Sequence, residues 1–174
     1  MINASLSIGM LKAINQKKIA IEEYAIRDGL KKATWPGRLQ VIQKDPYMIL
    51  DGAQNPASML ALVSSVKTIF RYKKLICIFG ISSDKDIGGV SSIIDAFSDV
   101  IILTKASNNS RATDIPILKG YFRNSRPCLE SSSDIDEAVQ KALKLANKED
   151  LILITGSLFV VGDAMKSFVK MQSL

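Results

Sequence analysis

The sequence predicts an α/β fold: a Rossmann-like, doubly wound, mostly parallel sheet with helices on both faces, preceded by two further helices. Three observations predict it. Continuous apolar runs at Leu75–Phe79, Val100–Leu103 and Leu151–Ile154 read as strands buried on both faces, as in a parallel sheet. Amphipathic segments alternate with those runs, which is the pattern of βαβ units. Trp35-Pro36-Gly37 then separates this alternating region from two helical segments before it, because proline lacks a donor and glycine loosens the backbone.

Taken in order, Ala4 to Ile14 is dense in apolar residues, and Ile19, Ile26 and Leu30 recur at helical spacing. Two helices alone bury little, so residues 1–33 read as the tail of something larger, and 34–174 as the main domain. Leu39 to Ile42 and Tyr47 to Leu50 are short strands around a turn containing Asp45-Pro46. A helix is expected from about Ala57 to Phe70, with Met59, Leu62, Val63, Val66 and Phe70 on one face. Asp134 and Glu137 begin another, striped by Ile135, Ala138, Val139 and Ala142. Val161, Ala164, Met165 and Phe168 stripe the last, and the polar stretch Asn108 to Thr113 reads as a mobile loop.

Composition narrows the chemistry. The 174 residues carry no histidine and only two cysteines, Cys77 and Cys128, which excludes imidazole-based zinc sites, Ser-His-Asp triads and a disulfide framework. Cys77, inside an apolar run, is expected to be a small core residue, and a reducing cytoplasm fits the cysteine usage. No stretch approaches the ~20 apolar residues of a membrane helix, and the N-terminus lacks the pattern of a signal peptide. The net charge of +6 is dispersed and has no aromatics interleaved, so no nucleic-acid partner is expected; an anionic small substrate also fits.

In an open α/β sheet, ligands bind beyond the carboxyl ends of the strands. Three polar segments fall there: Asp51-Gly52-Ala53-Gln54-Asn55-Pro56, Ser82-Ser83-Asp84-Lys85-Asp86 and Thr155-Gly156-Ser157. Each leads into a helix, whose N-terminal N–H groups suit a carboxylate or phosphate. Each also has a plain structural reading. Asn55 can be an N-cap with Pro56 as first helical residue, Asp86 a cap within a solvated charge cluster, and Ser157 a cap after a tight turn. Arg38 reads locally as a surface arginine.

The order and spacing of these segments say more than any one of them. Trp35-Pro36-Gly37-Arg38, Asp51-Gly52-Ala53-Gln54-Asn55-Pro56, Asp84-Lys85-Asp86 and Gly156-Ser157-Leu158-Phe159-Val160-Val161-Gly162 together resemble the C-terminal domain of folylpolyglutamate and dihydrofolate synthases, members of the Mur ligase family. The resemblance covers nearly the whole chain. It implies that residues 1–33 are the helical remnant of a central ATPase domain, whose missing part is the partner of this chain. It also implies an ATP-dependent ligase that activates a folate or dihydropteroate carboxylate as an acyl phosphate, which L-glutamate then attacks.

By position, the resemblance implies that Asn3 meets adenine, Arg38 reaches the ATP phosphates and Asp51 binds the ribose. It gives Gln54, Asn55, Lys85 and Ser157 to substrate, Lys85 and Ser157 helping to hold glutamate, and counts Arg38 and Lys85 as catalytic. Gln54 stands where the family usually has histidine, and glutamine cannot become cationic near neutral pH. No G-x-x-x-x-G-K-[ST] loop occurs, nor the family's shorter form, so nothing here cradles phosphates. The ligands of the family's magnesium also lie elsewhere, and the chain alone is expected to be inactive. Other readings are a Mur-type ligase of peptidoglycan precursors, a stand-alone nucleotide- or amino-acid-binding module, and a structural interaction domain. G-x-G-x-x-G is absent, and Gly88-Gly89 falls at a helix start, which counts against the module.

Overall fold

The computed structural model describes residues 2–16, 20–122 and 127–172. The chain divides into two compact units, Met1–Pro36 and Gly37–Leu174. The first holds helices α1 (Ile2–Asn15) and α2 (Glu23–Lys32). The Asn15 side chain joins them, accepting from the Ile21 N–H at 3.0 Å and donating to the Ile21 carbonyl at 3.3 Å. Helix α2 buries none of its residues, and a cleft of about 710 Å³ lined by Ile8, Ile21, Ile26 and Leu30 opens within the pair. Ile19, expected on the apolar stripe of α2, lies outside the described residues.

The second unit is a six-stranded sheet in the order β1-β2-β6-β3-β4-β5. Its strands are β1 (Gln40–Gln43), β2 (Tyr47–Leu50), β3 (Leu75–Phe79), β4 (Val100–Leu103), β5 (Cys128–Ser131) and β6 (Leu151–Thr155). Only β1 is antiparallel to its neighbour; β2, β6, β3, β4 and β5 run parallel. The helices are α3 (Pro56–Ile69), α4 (Ile87–Phe97), α5 (Ile115–Gly120), α6 (Ile135–Leu145) and α7 (Leu158–Gln172).

Side-chain alternation along the strands divides the core into two layers. On one face Ile49, Cys77, Phe79, Ile101 and Leu153 pack against Met59, Leu62 and Val66 of α3 and Val90 and Ile94 of α4. On the other face Leu50, Ile76, Ile78, Ile102 and Ile154 meet Ala138 and Ala142 of α6 and Val160, Val161 and Ala164 of α7. Strands β3 and β6 are buried along their whole length, which is why they read as unbroken apolar runs. Cys77 is wholly buried, and burial pushes its thiol pKa up to about 12.

This winding fixes where a crevice can form. The helices that follow β2 and β3 cover one face, while α7, which follows β6 between them, covers the other. The chain therefore leaves the carboxyl edge in opposite directions on either side of β6, and such points are where open sheets gape.

Two expectations are corrected. Leu39 is not a strand residue: its φ of +43° puts it in a turn, and β1 starts at Gln40. Asn108 to Thr113 is not a loose loop. The Ser83 N–H donates to the Arg111 carbonyl at 2.7 Å and the Thr113 N–H to the Ile81 carbonyl at 2.9 Å, so this stretch is laced to the turn after β3. Among the described residues no helix is long and apolar enough to cross a membrane.

Candidate functional site

Three loops meet at the carboxyl edge around β6. Gly156, just after β6, donates its N–H to the Ala53 carbonyl at 3.1 Å, and Gly80 donates its N–H to the Thr155 carbonyl at 3.4 Å. Gly156 has φ +101°, and a Cβ there would lie 2.6 Å from the Gly80 carbonyl oxygen. Only glycine lets the backbones approach so closely. The first turns of α3 and α4 are also neighbours, because a Cβ on Gly89 would come within 2.8 Å of the Pro56 ring.

Asp51 organises the first loop. It is buried, and its carboxylate accepts from the Leu39 N–H and the Ala53 N–H, each at 2.8 Å. The Gly52 N–H donates to the Gly37 carbonyl at 2.8 Å. Together these bonds bind the Gly37–Gln40 turn to the end of β2 and place Arg38 beside Asp51. Both line a cleft of about 220 Å³ with Leu39, Ser58, Ala61, Leu62 and Ser65. Arg38 is exposed and makes no hydrogen bond or ion pair among the described residues, so its guanidinium is available to an anion.

Asn55 caps α3. Its side chain accepts from the Ser58 N–H at 2.9 Å, and Ser58 Oγ accepts from the Gln54 and Asn55 N–H groups at 3.2 Å. The half-buried Gln54 engages these bonds through its backbone alone, which leaves its amide uncommitted among the described residues. Ser157 is buried and caps α7, its Oγ accepting from the Phe159 N–H at 3.1 Å. In the turn after β3, Asp86 caps α4 by accepting from the Gly89 N–H at 2.9 Å. Lys85 is half-buried, with its ammonium 3.0 Å from Asp84 Oδ2. That ammonium, and Arg111 near it, hold the Asp84 carboxyl below the usual carboxylate range.

The structure thus brings Arg38 to Asp51 in one cleft and sets the loops of Gln54, Lys85 and Ser157 side by side along the edge. Asn3 lies on the first turn of α1, and its side chain falls outside the described residues. Sequence reasoning missed the fourth loop of this edge, residues 104–114, whose Arg111 Nη1 donates to Asp84 Oδ2 at 3.2 Å. Its polarity was visible; its partner, 27 residues away, was not. Among the described residues no group of three or more His, Cys, Asp and Glu side chains could hold a metal ion.

Comparison with known proteins identifies the family and the fold. The profile of the Mur ligase, glutamate ligase domain family matches residues 37–158. A probable bifunctional folylpolyglutamate synthase/dihydropteroate synthase of Halobacterium salinarum is 32% identical over 90% of this chain and 19% of its own length. The dihydrofolate synthase/folylpolyglutamate synthase of Bacillus subtilis is 30% identical over 94% of the chain and 38% of its own length. Among solved structures, Escherichia coli FolC in complex with DHPP and ADP superposes with a TM-score of 0.81 at 26% identity, covering 93% of this chain and 38% of that one. A bifunctional folylpolyglutamate synthase/dihydrofolate synthase with Mn, AMPPNP and L-glutamate bound gives 0.81 at 26% identity over 91% of this chain and 38% of its own. The chain spans well under half the length of these relatives. It belongs to the Mur ligase family of glutamate ligase domains, in the form found at the C-terminus of folylpolyglutamate and dihydrofolate synthases.

Proposed function

We propose that this chain is the C-terminal part of an ATP-dependent ligase that joins L-glutamate to a folate or dihydropteroate carboxylate. The observation that carries the reading is the meeting of the Asp51–Pro56, Ser82–Asp86 and Gly156–Ser157 loops on either side of β6. Arg38, uncommitted and exposed beside Asp51, would steady phosphate charge during acyl-phosphate formation and loss. Asp51 would take a ribose hydroxyl on lone pairs not spent on its two backbone donors. Lys85, with the α7 N-terminus behind Ser157, would hold glutamate so that its amine lies in line with the acyl phosphate; the gain there is chiefly positional. Magnesium would be held by residues outside this chain.

The test is ADP release. The complete polypeptide should form ADP only when both the folate substrate and L-glutamate are present, and the 174-residue chain alone should form none. ADP formation by the isolated chain, or by the complete polypeptide without L-glutamate, would sink the reading.

A further inference from the structure

Lys85 is not the only cation on Asp84. Arg111 reaches the same oxygen, Oδ2, at 3.2 Å, while the Lys85 ammonium sits 3.0 Å from it. The loop that delivers Arg111 is firmly built. Asn109 Nδ2 donates to Ser82 Oγ at 2.9 Å, both residues being buried, and Asn109 Oδ1 accepts from the Arg111 N–H at 3.0 Å. Ser82 and Ala112 form an antiparallel bridge. Arg111 is therefore aimed at the turn that holds Lys85.

The charge balance gives this a purpose. Lys85 and Asp84 alone form a neutral pair, in which the ammonium is occupied by its own neighbour. With Arg111 the trio carries one net positive charge. Of the other charges nearby, Asp86 is engaged at the α4 N-terminus rather than with Lys85, and Lys105 is paired with Asp114. We infer that Arg111 is a positioning residue which, by sharing Asp84, leaves Lys85 with uncompensated charge for one carboxylate of the incoming amino acid. This rests on the reading of Lys85 as a glutamate contact.

Titration of the labelled 174-residue chain with L-glutamate, followed by backbone amide shifts at residues 82–86, tests it. Arg111→Gln should weaken binding about two- to fivefold, the scale of a partly exposed charge pair. Adding Asp84→Asn to Arg111→Gln should restore binding, because nothing then competes for the ammonium. If Arg111 merely anchors its loop, the double variant stays as weak as the single one, and that result overturns the inference. Unchanged binding by Arg111→Gln overturns it as well. Lys85→Ala separates the two levels of the argument. If it binds as wild type does, or if wild type shows no saturable shifts, the glutamate reading fails and this inference fails with it.

Discussion

Asp51 is proposed to meet a ribose, yet the structure gives it a task that needs no ligand, and replacing it exposes the difference. Both carboxylate oxygens accept backbone N–H groups at 2.8 Å, one from Leu39, twelve residues earlier, and one from Ala53. Asp51→Ala removes both bonds and leaves two N–H groups with no partner in a largely buried turn. Hydrogen bonds to a charged acceptor contribute about 1.5–3 kcal/mol each, and Leu39 is half exposed, so the lower end applies and the loss is about 3 kcal/mol. For a unit of this size that lowers the melting temperature by about 10 °C. Asp51→Asn keeps one acceptor but turns an NH₂ toward the other donor, so at least half of the loss should remain. Urea unfolding and calorimetry on the chain without nucleotide give the number directly. If Asp51→Ala melts within about 2 °C of wild type, the turn does not depend on these bonds and the argument fails.

Three other outcomes follow from the same structure. Gly156→Ala places a Cβ 2.6 Å from the Gly80 carbonyl oxygen and the Phe79 ring at φ +101°, so a loss of about 3 kcal/mol or failure to accumulate folded protein is expected; a wild-type urea midpoint would contradict it. Burial raises the Asp163 carboxyl, but the Ser107 N–H at 3.0 Å, the Ser107 hydroxyl at 2.9 Å and Lys166 outweigh it and hold the group below the usual carboxylate range. A depressed folded pKa means stability that is complete above the unfolded value of about 4 and lost as pH falls through the folded one, so Asp163→Asn should flatten the acid limb of the stability curve, measured by urea unfolding from pH 7 to pH 3. Parallel losses in both proteins would show that Asp163 does not contribute. Finally, a thiol reagent should modify the exposed Cys128 in the native chain and reach Cys77, buried and raised to about 12, only after unfolding; prompt reaction of both would mean that the β3 core opens readily.

The fold was legible where burial is complete. Leu75–Phe79 and Leu151–Thr155 are covered on both faces, so nearly every residue is apolar and the run announces itself. Strand β5, Cys128-Leu129-Glu130-Ser131, gave no such signal because it is a half-exposed edge strand with a mixed sequence. Helix α5 has six residues, too few to show a 3.6-residue period. Leu39 looked like the start of a strand because it is apolar, whereas its conformation is set by the Asp51 carboxylate pulling on its N–H. Nothing adjacent in the sequence encodes that bond.

The candidate site divides by the same logic. Asp51, Asn55 and Ser157 are the residues that turn chemistry alone could explain, and each has side-chain oxygens engaged by backbone donors: Asp51 at the end of β2, Asn55 and Ser157 at helix starts. Arg38 and the Gln54 amide make no such bond among the described residues, and Lys85 is shared only with a partly exposed carboxylate. The loops are held in place by one set of side chains and leave another set uncommitted at the carboxyl edge. Residue type and spacing marked both sets alike, since an aspartate that ties a turn and one that binds a ribose are spelled the same way. Only the partner of each oxygen distinguishes them, and for Asp51 and Asp84 one of those partners lies 12 and 27 residues away, respectively. Sequence reading could therefore name where a ligand would sit sooner than which atoms are left to hold it.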